Sequence, residues 1–337
     1  FIYLIQASDY DEISEYCQQL IQAMARPFPV ESFDIEMTSA IGVSILPFDG
    51  DNYQSLKQKA HAALTQAKNG QVNSFKFFEE EMESSINKRV KMVQELKKAI
   101  ALQEFELFYQ AKVDMRDQSV IGAEALIRWH KPGLGIISPL EFIPIAEESG
   151  LINEIGKWAI EQACQDCKHW HEIGLEGLSV AVNLSPVQFQ RGNLPNIVLR
   201  ALHNTGLQSK FLELEITESL FIDDSEFIKD QVCDISTKGV NIAIDDFGTG
   251  YSNLNYLTKF YAKILKVDMS FVKDMQASQS QENLVAAIIK MSAMMELENT
   301  AEGIEDQATY IKLKNMGCQH GQGYYWCKPM PNSDFIK

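Results

Sequence analysis

The chain has 337 residues, 45% of them hydrophobic and 23% charged, which argues against a disordered chain and fits about two globular domains. Its formal net charge of −16 would repel a phosphate backbone, which argues against a sequence-independent binder of nucleic-acid polymers. No apolar run approaches the roughly 18 residues of a membrane span. Six scattered cysteines indicate reduced thiols in a cytoplasmic protein, and a chain that starts at Phe1 predicts a fragment whose upstream part is missing.

Residues 1–78 alternate strand-like and helix-like segments. Phe1–Ile5 is a short apolar run, and apolar residues at helical spacing predict a helix over Ile13–Met24. The residues at every second position from Ile35 to Ile45, which are apolar except for Ser39, predict a strand with one buried face. A second helix is predicted from Tyr53 to Lys68, where an Asn-Gly pair follows as a stop signal.

Residues 79–103 predict a single connecting helix. Three acidic residues, Glu79–Glu81, stand at its start, and basic residues cluster from Lys88 to Lys98, an order that complements the helix dipole. Apolar residues along the segment form one stripe. The segment is interpreted as a linker helix between two domains, with a role in signal coupling left open.

Residues 104–337 alternate short strand-like runs with helical patterns. Strands are predicted at Phe105–Val113, Val120–Trp129, Leu178–Asn183, Leu212–Ile216, Val240–Asp245, Ile264–Val267 and around Ala301 and Gly323. Helices are predicted at Pro139–Glu148, Glu154–His171, Pro195–Asn204, Phe227–Lys238 and Glu282–Met295. About eight strands with intervening helices predict an α/β fold, a (β/α)8 TIM-like barrel.

Polar residues recur at the trailing ends of these apolar runs, and they are Asn183, Glu215, Glu218, Asp245, Asp246, Lys266, Glu302 and Glu305. In a parallel barrel the carboxyl ends of the strands meet at one mouth, so these side chains would converge there. Unpaired carboxylates at one mouth would repel each other, and divalent cations would relieve that repulsion. Oxygen ligands favour Mg²⁺ or Mn²⁺ over zinc.

From spacing alone, two interpretations stay open. Each acid could be a solvated or ion-paired side chain, the Asp-Asp pair before Phe-Gly-Thr-Gly could be a turn, and Lys266 could lie on the surface. The repetition of the same placement in one chain favours a metal-dependent barrel enzyme.

Sequence motifs make the second interpretation specific. Glu124-Ala125-Leu126 with Arg128 completes an ExLxR motif, and further matches are Val182–Ser185, Glu213–Ser219, Asp245–Ser252, Leu265–Asp268, Ala301–Glu305 and Gly317–Tyr324. In this order and spacing, residues 104–337 resemble the EAL family of cyclic-di-GMP phosphodiesterases. Residues 1–78 resemble the C-terminal part of a degenerate GGDEF (diguanylate cyclase-like) domain, so no cyclase activity is expected of this chain.

The EAL resemblance implies a two-metal site. Glu124, Asn183, Glu215 and Asp245 would hold one Mg²⁺ or Mn²⁺ ion, and Asp245 with Asp246 the second. Glu302 would ligate a metal or orient water, and Lys266 would be the catalytic lysine.

The remaining roles that the resemblance implies concern the substrate and a loop. Arg128 and Gln322 would contact the substrate or its water, Glu218 would steady a loop over residues 246–253, and Glu305 would support the site. The sequence departs from the family pattern at Ala111, at Tyr261–Lys263 and at Asn299-Thr300.

The resemblance therefore implies hydrolysis of cyclic-di-GMP to linear pGpG by a chain that forms a homodimer through its barrel domain. Two rivals stay open: a catalytically silent cyclic-di-GMP receptor that uses the same pocket, and a barrel enzyme with another substrate. The residue swap at Tyr261–Lys263 leaves the dimer geometry open.

Overall fold

The computed structural model describes residues 1–30, 33–35, 37–70, 72–191, 193–221, 225–248, 261–275 and 278–337. The chain divides into two compact units, Phe1–Gln94 and Glu95–Lys337. Within the described ranges, every helix is too short or too polar to serve as a membrane span.

The first unit is a small α/β arrangement. Its elements are α1 (Tyr10–Met24), β1 (Phe28–Val30), β2 (Phe33–Ile35), β3 (Ala40–Val43), α2 (Tyr53–Lys68), β4 (Ser74–Phe77) and the start of α3 (Glu80–Leu102). β1 pairs with β2 as an antiparallel hairpin, and β3 pairs with β4 in parallel. Helix α2 packs closely on β3 at Gly42, because a Cβ there would lie 2.1 Å from the Ala60 carbonyl oxygen.

Two predictions for the first unit differ from the structure. Phe1–Ile5 has exposed side chains and forms no strand, because no described strand pairs with it. The strand predicted from Ile35 to Ile45 is shorter: β2 ends at Ile35, and the second part is limited to Ala40–Val43 because its partner Ser74–Phe77 offers four residues. The helices predicted near Ile13 and Tyr53 are confirmed.

The second unit is a closed α/β barrel that follows the end of α3. Its strands are β5 (Phe105–Asp114), β6 (Val120–Lys131), β7 (Gly135–Ile137), β8 (Ser179–Leu184), β9 (Leu212–Thr217), β10 (Asn241–Phe247), β11 (Ile264–Val267), β12 (Glu298–Ala301), β13 (His320–Gly321) and β14 (Met330–Pro331). Its helices are α4 (Pro139–Ser149), α5 (Ile152–Glu172), α6 (Pro186–Arg191), α7 (Leu194–Thr205), α8 (Glu226–Thr237), α9 (Met269–Asp274), α10 (Gln279–Met294), α11 (Gln307–Met316) and α12 (Asn332–Phe335). Two 3₁₀ helices flank β9, at Ser209–Phe211 and Glu218–Phe221.

Eight strands close the barrel in the order β5, β6, β8, β9, β10, β11, β12 and β13, and the last pairs with β5 again. The remaining two are additions, because β7 pairs with β6 and β14 pairs with β5. The predicted TIM-like barrel is thus confirmed.

One strand of the barrel runs in the direction opposite to that expected for a parallel barrel. β5 is antiparallel to both of its neighbours, β6 and β13, whereas the other barrel pairs are parallel. The physical reason is the short connection at residues 115–119, where the Gln118 N–H donates to the Asp114 carbonyl oxygen at 2.8 Å. A connection of this length makes a hairpin, since a parallel crossover needs a dozen or more residues.

Candidate active site at the barrel mouth

The strands of the barrel alternate apolar and polar side chains, and β9 shows this most clearly. Leu212, Leu214 and Ile216 are buried in the main hydrophobic core, whereas Glu213 and Glu215 share the opposite face of the strand. The apolar faces bind the barrel to its helices, and the polar faces meet in the interior. This arrangement places several charged groups out of contact with water.

Lys266 on β11 lies at the centre of the candidate site and is 1% exposed. Its Nζ is 2.6 Å from Glu215 Oε2, 2.6 Å from Glu302 Oε1 and 3.2 Å from Asp245 Oδ1. Burial alone would lower the pKa of this ammonium, but the surrounding carboxylates, Glu124 foremost, raise it well above its usual value. Lys266 therefore stays charged and draws together acids from β9, β10 and the end of β12.

Glu124 on β6 is held by two side-chain amides. Asn183 Nδ2 donates to its Oε1 at 2.6 Å, and Gln322 Nε2 donates to its Oε2 at 2.5 Å. Gln322 Nε2 also donates to Gln110 Oε1 at 3.1 Å, so the antiparallel strand β5 supports this side of the site. The amide of Asn183 uses its nitrogen for Glu124, which leaves its Oδ1 to act as an acceptor or ligand at the exposed mouth.

A second buried lysine lies close to the site. Lys112 Nζ on β5 is 2.6 Å from Glu213 Oε1 and 3.0 Å from Glu215 Oε1, and all three residues are at most 4% exposed. The sequence reasoning missed Lys112, Glu213 and Gln110 as site residues. The two-residue alternation along β5 and β9 was a signal that could have revealed them, because it places each on the polar face of its strand.

The carboxylates of the site carry more negative charge than Lys266 neutralises. Burial raises the pKa of Glu124 and of Asp245, and their mutual repulsion with Glu215 adds to the effect. Burial with the neighbouring carboxylates likewise raises the pKa of Glu302 to about 8. Glu215 differs: burial opposes its ionisation, but Lys266 and Lys112 on either side lower its pKa to about 2.

The excess of negative charge on these carboxylates raises the question of whether the residues could bind a metal ion. Within the described ranges, no group of three His, Cys, Asp or Glu side chains has the spacing of a preformed metal cage, because the Lys266 ammonium bridges three of the carboxylates. The donor set itself, with carboxylates of Glu124, Glu215 and Asp245 and the amide of Asn183, is the oxygen-rich set that Mg²⁺ and Mn²⁺ prefer. The residues therefore fit a hard divalent cation in their chemistry.

The carboxyl end of β10 and the following Gly248 connect the site to Glu218. Asp246 is half-buried and adopts a φ of 54°, and its N–H donates to Asp245 Oδ1 at 3.0 Å. The Gly248 N–H donates to the buried Glu218 Oε2 at 2.8 Å. Residues 249–253 of the predicted loop lie outside the described residues.

Replacing Glu218 with alanine should lower both the stability of the chain and the turnover that the EAL resemblance implies, because the Gly248 N–H loses its acceptor next to Asp246. An unpaired backbone donor costs about 1–3 kcal/mol, so we expect the melting temperature to fall by several degrees. Differential scanning fluorimetry and a turnover assay measure the two effects. The control is Glu226→Ala, an exposed acid in the first turn of α8; a Glu218→Ala variant that matches this control would contradict the expectation.

Two predicted site residues, Arg128 and Glu305, contact residues outside the group around Lys266. The Arg128 guanidinium donates to the Ile127 carbonyl oxygen at 2.8 Å and lies 5.5 Å from the centre of the Phe108 ring. Glu305 is exposed, and its Oε1 is 3.4 Å from Lys273 Nζ. Both contacts lie outside the group of side chains around Lys266.

A TIM-like barrel with an acidic, lysine-centred site at its mouth is the class of protein that this fold and geometry define. Residues 93–329 match the family model of the EAL domain, and residues 1–74 match that of the diguanylate cyclase, GGDEF domain. The chain belongs to the EAL domain family.

Curated relatives match nearly the whole chain. It is 34% identical over 336 residues to the bifunctional diguanylate cyclase/cyclic di-GMP phosphodiesterase MucR of Pseudomonas aeruginosa, covering 100% of this chain and 49% of MucR. It is 36% identical over 314 residues to the cyclic di-GMP phosphodiesterase NbdA of the same species, covering 93% of this chain and 40% of NbdA. The chain thus spans about half or less of the length of these relatives.

Solved structures of EAL proteins share the fold. The MucR phosphodiesterase in complex with c-di-GMP is 36% identical with a TM-score of 0.70, and the match covers 73% of this chain and 99% of that one. The EAL enzyme Bd1971 in its cAMP- and cyclic-di-GMP-bound form is 33% identical with a TM-score of 0.72, and the match covers 75% of this chain and 69% of that one.

Proposed function

We propose that this chain hydrolyses cyclic-di-GMP to linear pGpG in a reaction that depends on Mg²⁺ or Mn²⁺. The observation that carries the proposal is the buried carboxylate group around Lys266, which stands at the mouth of an EAL-family barrel. The MucR and Bd1971 structures, both described with cyclic-di-GMP, support the choice of substrate.

The proposed cation ligands are Glu124, Asn183, Glu215 and Asp245, with Asp246 beside the second position. When bound, two divalent cations would acidify water and neutralise the phosphate oxygens during an in-line displacement. Glu302 completes the acidic group and lies within 2.6 Å of the lysine.

The protein's own groups act on the proton and the phosphate. Lys266 would orient the attacking water and stabilise the negative charge that develops on the phosphate. Glu302 would orient that water or accept its proton, because its Oε1 lies 2.6 Å from the Lys266 Nζ that would position the water. The water oxygen would bond to phosphorus as the bond from phosphorus to the 3′ oxygen breaks; the 3′ oxygen would leave with that electron pair and take up a proton from solvent, which gives a linear product with a 5′ phosphate and a 3′ hydroxyl.

Two further residues would bind the substrate at the rim of the site. The guanidinium of Arg128 is half-buried, which suits a contact with a phosphate or a guanine edge. Gln322 would hold Glu124 and a water molecule between the protein and the substrate, while Glu218 and Glu305 would steady the surrounding loops.

Metal removal tests this proposal directly. Incubation of the chain with cyclic-di-GMP and Mg²⁺ should yield pGpG on chromatography, and EDTA should reduce the rate to background because the acidic group cannot act on phosphate without cations. Excess Mg²⁺ or Mn²⁺ added after EDTA should restore the rate. Binding of cyclic-di-GMP without product in either metal would instead support the receptor alternative.

We also propose that residues 1–78 form a partial GGDEF-like domain, 79–103 a linker helix and 104–337 the EAL domain. The matches over 1–74 and 93–329 and the single helix Glu80–Leu102 support this division. Homodimer formation through the EAL domain stays a prediction, which light scattering after size-exclusion chromatography would test.

A further inference from the structure

A second ion pair lies in the barrel interior, and the proposed reaction does not use it. Lys112 is 3% exposed and Glu213 is 4% exposed. Lys112 Nζ bridges Glu213 Oε1 at 2.6 Å and Glu215 Oε1 at 3.0 Å, while Glu215 Oε2 lies 2.6 Å from Lys266 Nζ. Each oxygen of Glu215 therefore faces a different ammonium group.

The interior of the barrel leaves room for Lys112 to cross it. Lys112 belongs to β5 and its acidic partners to β9, and two strands, β6 and β8, stand between them. Gly122 on β6 pairs in register with Lys112, and Ala181 on β8 pairs in register with Glu213. Gly122 has no side chain and Ala181 has only a methyl group. The long side chain of Lys112 can therefore span the interior past these two positions.

Stability alone does not account for such a pair. Barrel interiors are usually filled by branched apolar side chains, and a buried ion pair contributes little net stability compared with apolar residues of the same volume. The distinguishing property of the pair is its contact with Glu215, a proposed cation ligand.

The contact with Lys266 alone does not fix the orientation of the Glu215 carboxylate. The same ammonium also contacts Asp245 and Glu302, whose carboxylates stand nearer the open mouth. When a cation draws these carboxylates, the contacts of Lys266 must rearrange, whereas the contact between Lys112 and Glu215 Oε1 lies deeper and is fixed by Glu213.

We propose that Lys112 and Glu213 are positioning residues that hold Glu215 in the orientation in which it binds a divalent cation. This inference rests on the proposed function in assigning a cation to Glu215. Outer partners of metal ligands act in this way by fixing the direction of the ligand's lone pairs.

The test is the charge-balanced double variant Lys112→Met/Glu213→Gln in the complete chain. It removes one positive and one negative charge, so the net charge near the site is unchanged and the hold on Glu215 is lost. The Kd for Mn²⁺, measured by electron paramagnetic resonance of free Mn²⁺, should rise about tenfold or more. The matched control, Lys312→Met/Glu282→Gln, removes a surface pair with a 2.6 Å contact and should leave the Kd unchanged.

A folded Lys112→Met/Glu213→Gln variant, verified by circular dichroism, that binds Mn²⁺ as tightly as the unaltered chain would overturn the proposal. If this variant does not fold, Glu213→Asp serves instead, because it keeps the charge and withdraws the carboxylate from Lys112 by one methylene. Its Kd should rise about threefold or more, and an unchanged Kd would again overturn the proposal.

The two proposals can fail separately. An unaltered chain that binds Mn²⁺ but releases no pGpG would contradict the proposed hydrolysis, and the variants would still test the role of Lys112. An unaltered chain that does not bind Mn²⁺ would overturn both.

Discussion

Replacing Lys266 with methionine is expected to lower kcat for cyclic-di-GMP hydrolysis by about 10³-fold, the loss typical of removing one preorganised group that stabilises developing charge. The physical reason is the position of its Nζ, within 3.2 Å of carboxylates on three different strand ends. Methionine keeps the volume of the side chain but provides neither the charge nor a donor. The negative charge on the phosphate would then be repelled by the carboxylates, with no lysine charge to offset that repulsion.

The same variant should respond more strongly to cations. Without the ammonium, the carboxylates of Glu215, Asp245 and Glu302 repel one another in a buried site, so Mg²⁺ should raise the melting temperature of Lys266→Met more than that of the unaltered chain. Turnover by chromatography and melting with and without Mg²⁺ measure the two effects. Lys312→Met on the surface of α11 is the control for both, and a near-unaltered rate in Lys266→Met would disprove the role assigned to it.

The convergence of Glu215, Asp245, Lys266 and Glu302 could be predicted from the sequence for a simple reason. Each follows or ends an apolar run, and the carboxyl ends of neighbouring parallel strands meet at one end of a barrel. The chain order of the strands is also their spatial order from β8 to β13. Placement along the strand was therefore enough to bring these residues together.

Lys112 could not be placed by the same reasoning. It lies two residues before the carboxyl end of β5, but β5 runs antiparallel to its neighbours, so this end points away from the mouth at which the other barrel strands end. Its partner Glu213 is 101 residues away in the sequence, and the pairing depends on closure of the barrel between β5 and β13. The alternation of side chains places Lys112 and Glu213 on the polar faces of their strands, but the contact between them follows from the barrel topology, which the alternation does not specify.

The contacts of Arg128 and Glu305 also could not be predicted from the local sequence pattern. Both residue types match the family motif, but rotamers and surface ion pairs decide what they touch. In the structure Arg128 lies over the ring of Phe108, a cross-strand neighbour on β5, and Glu305 pairs with Lys273 at the end of α9. Substrate contact by Arg128 therefore stays a prediction.

Glu124→Gln is expected to lower turnover strongly without lowering the stability of the metal-free chain. Burial raises the pKa of Glu124 above its unfolded value, so the folded state favours the protonated form, and ionisation destabilises it as the pH rises above that unfolded value. At pH 7 a neutral amide of the same shape removes this cost. Gln322 can still donate to the new amide oxygen, and the exposed Asn183 can turn its own oxygen toward the new nitrogen.

We therefore expect kcat/KM to fall by about 10³-fold and Mn²⁺ binding to weaken, while the melting temperature in EDTA at pH 7 equals or exceeds that of the unaltered chain. Glu106→Gln, at an exposed acid on β5 whose Oε2 lies 2.8 Å from His130 Nε2, is the control and should change none of these three quantities. A melting temperature for Glu124→Gln several degrees lower would show that the carboxylate stabilises the fold. The expected combination would instead mean that Glu124 destabilises the empty barrel and that its charge is useful only when a cation is bound.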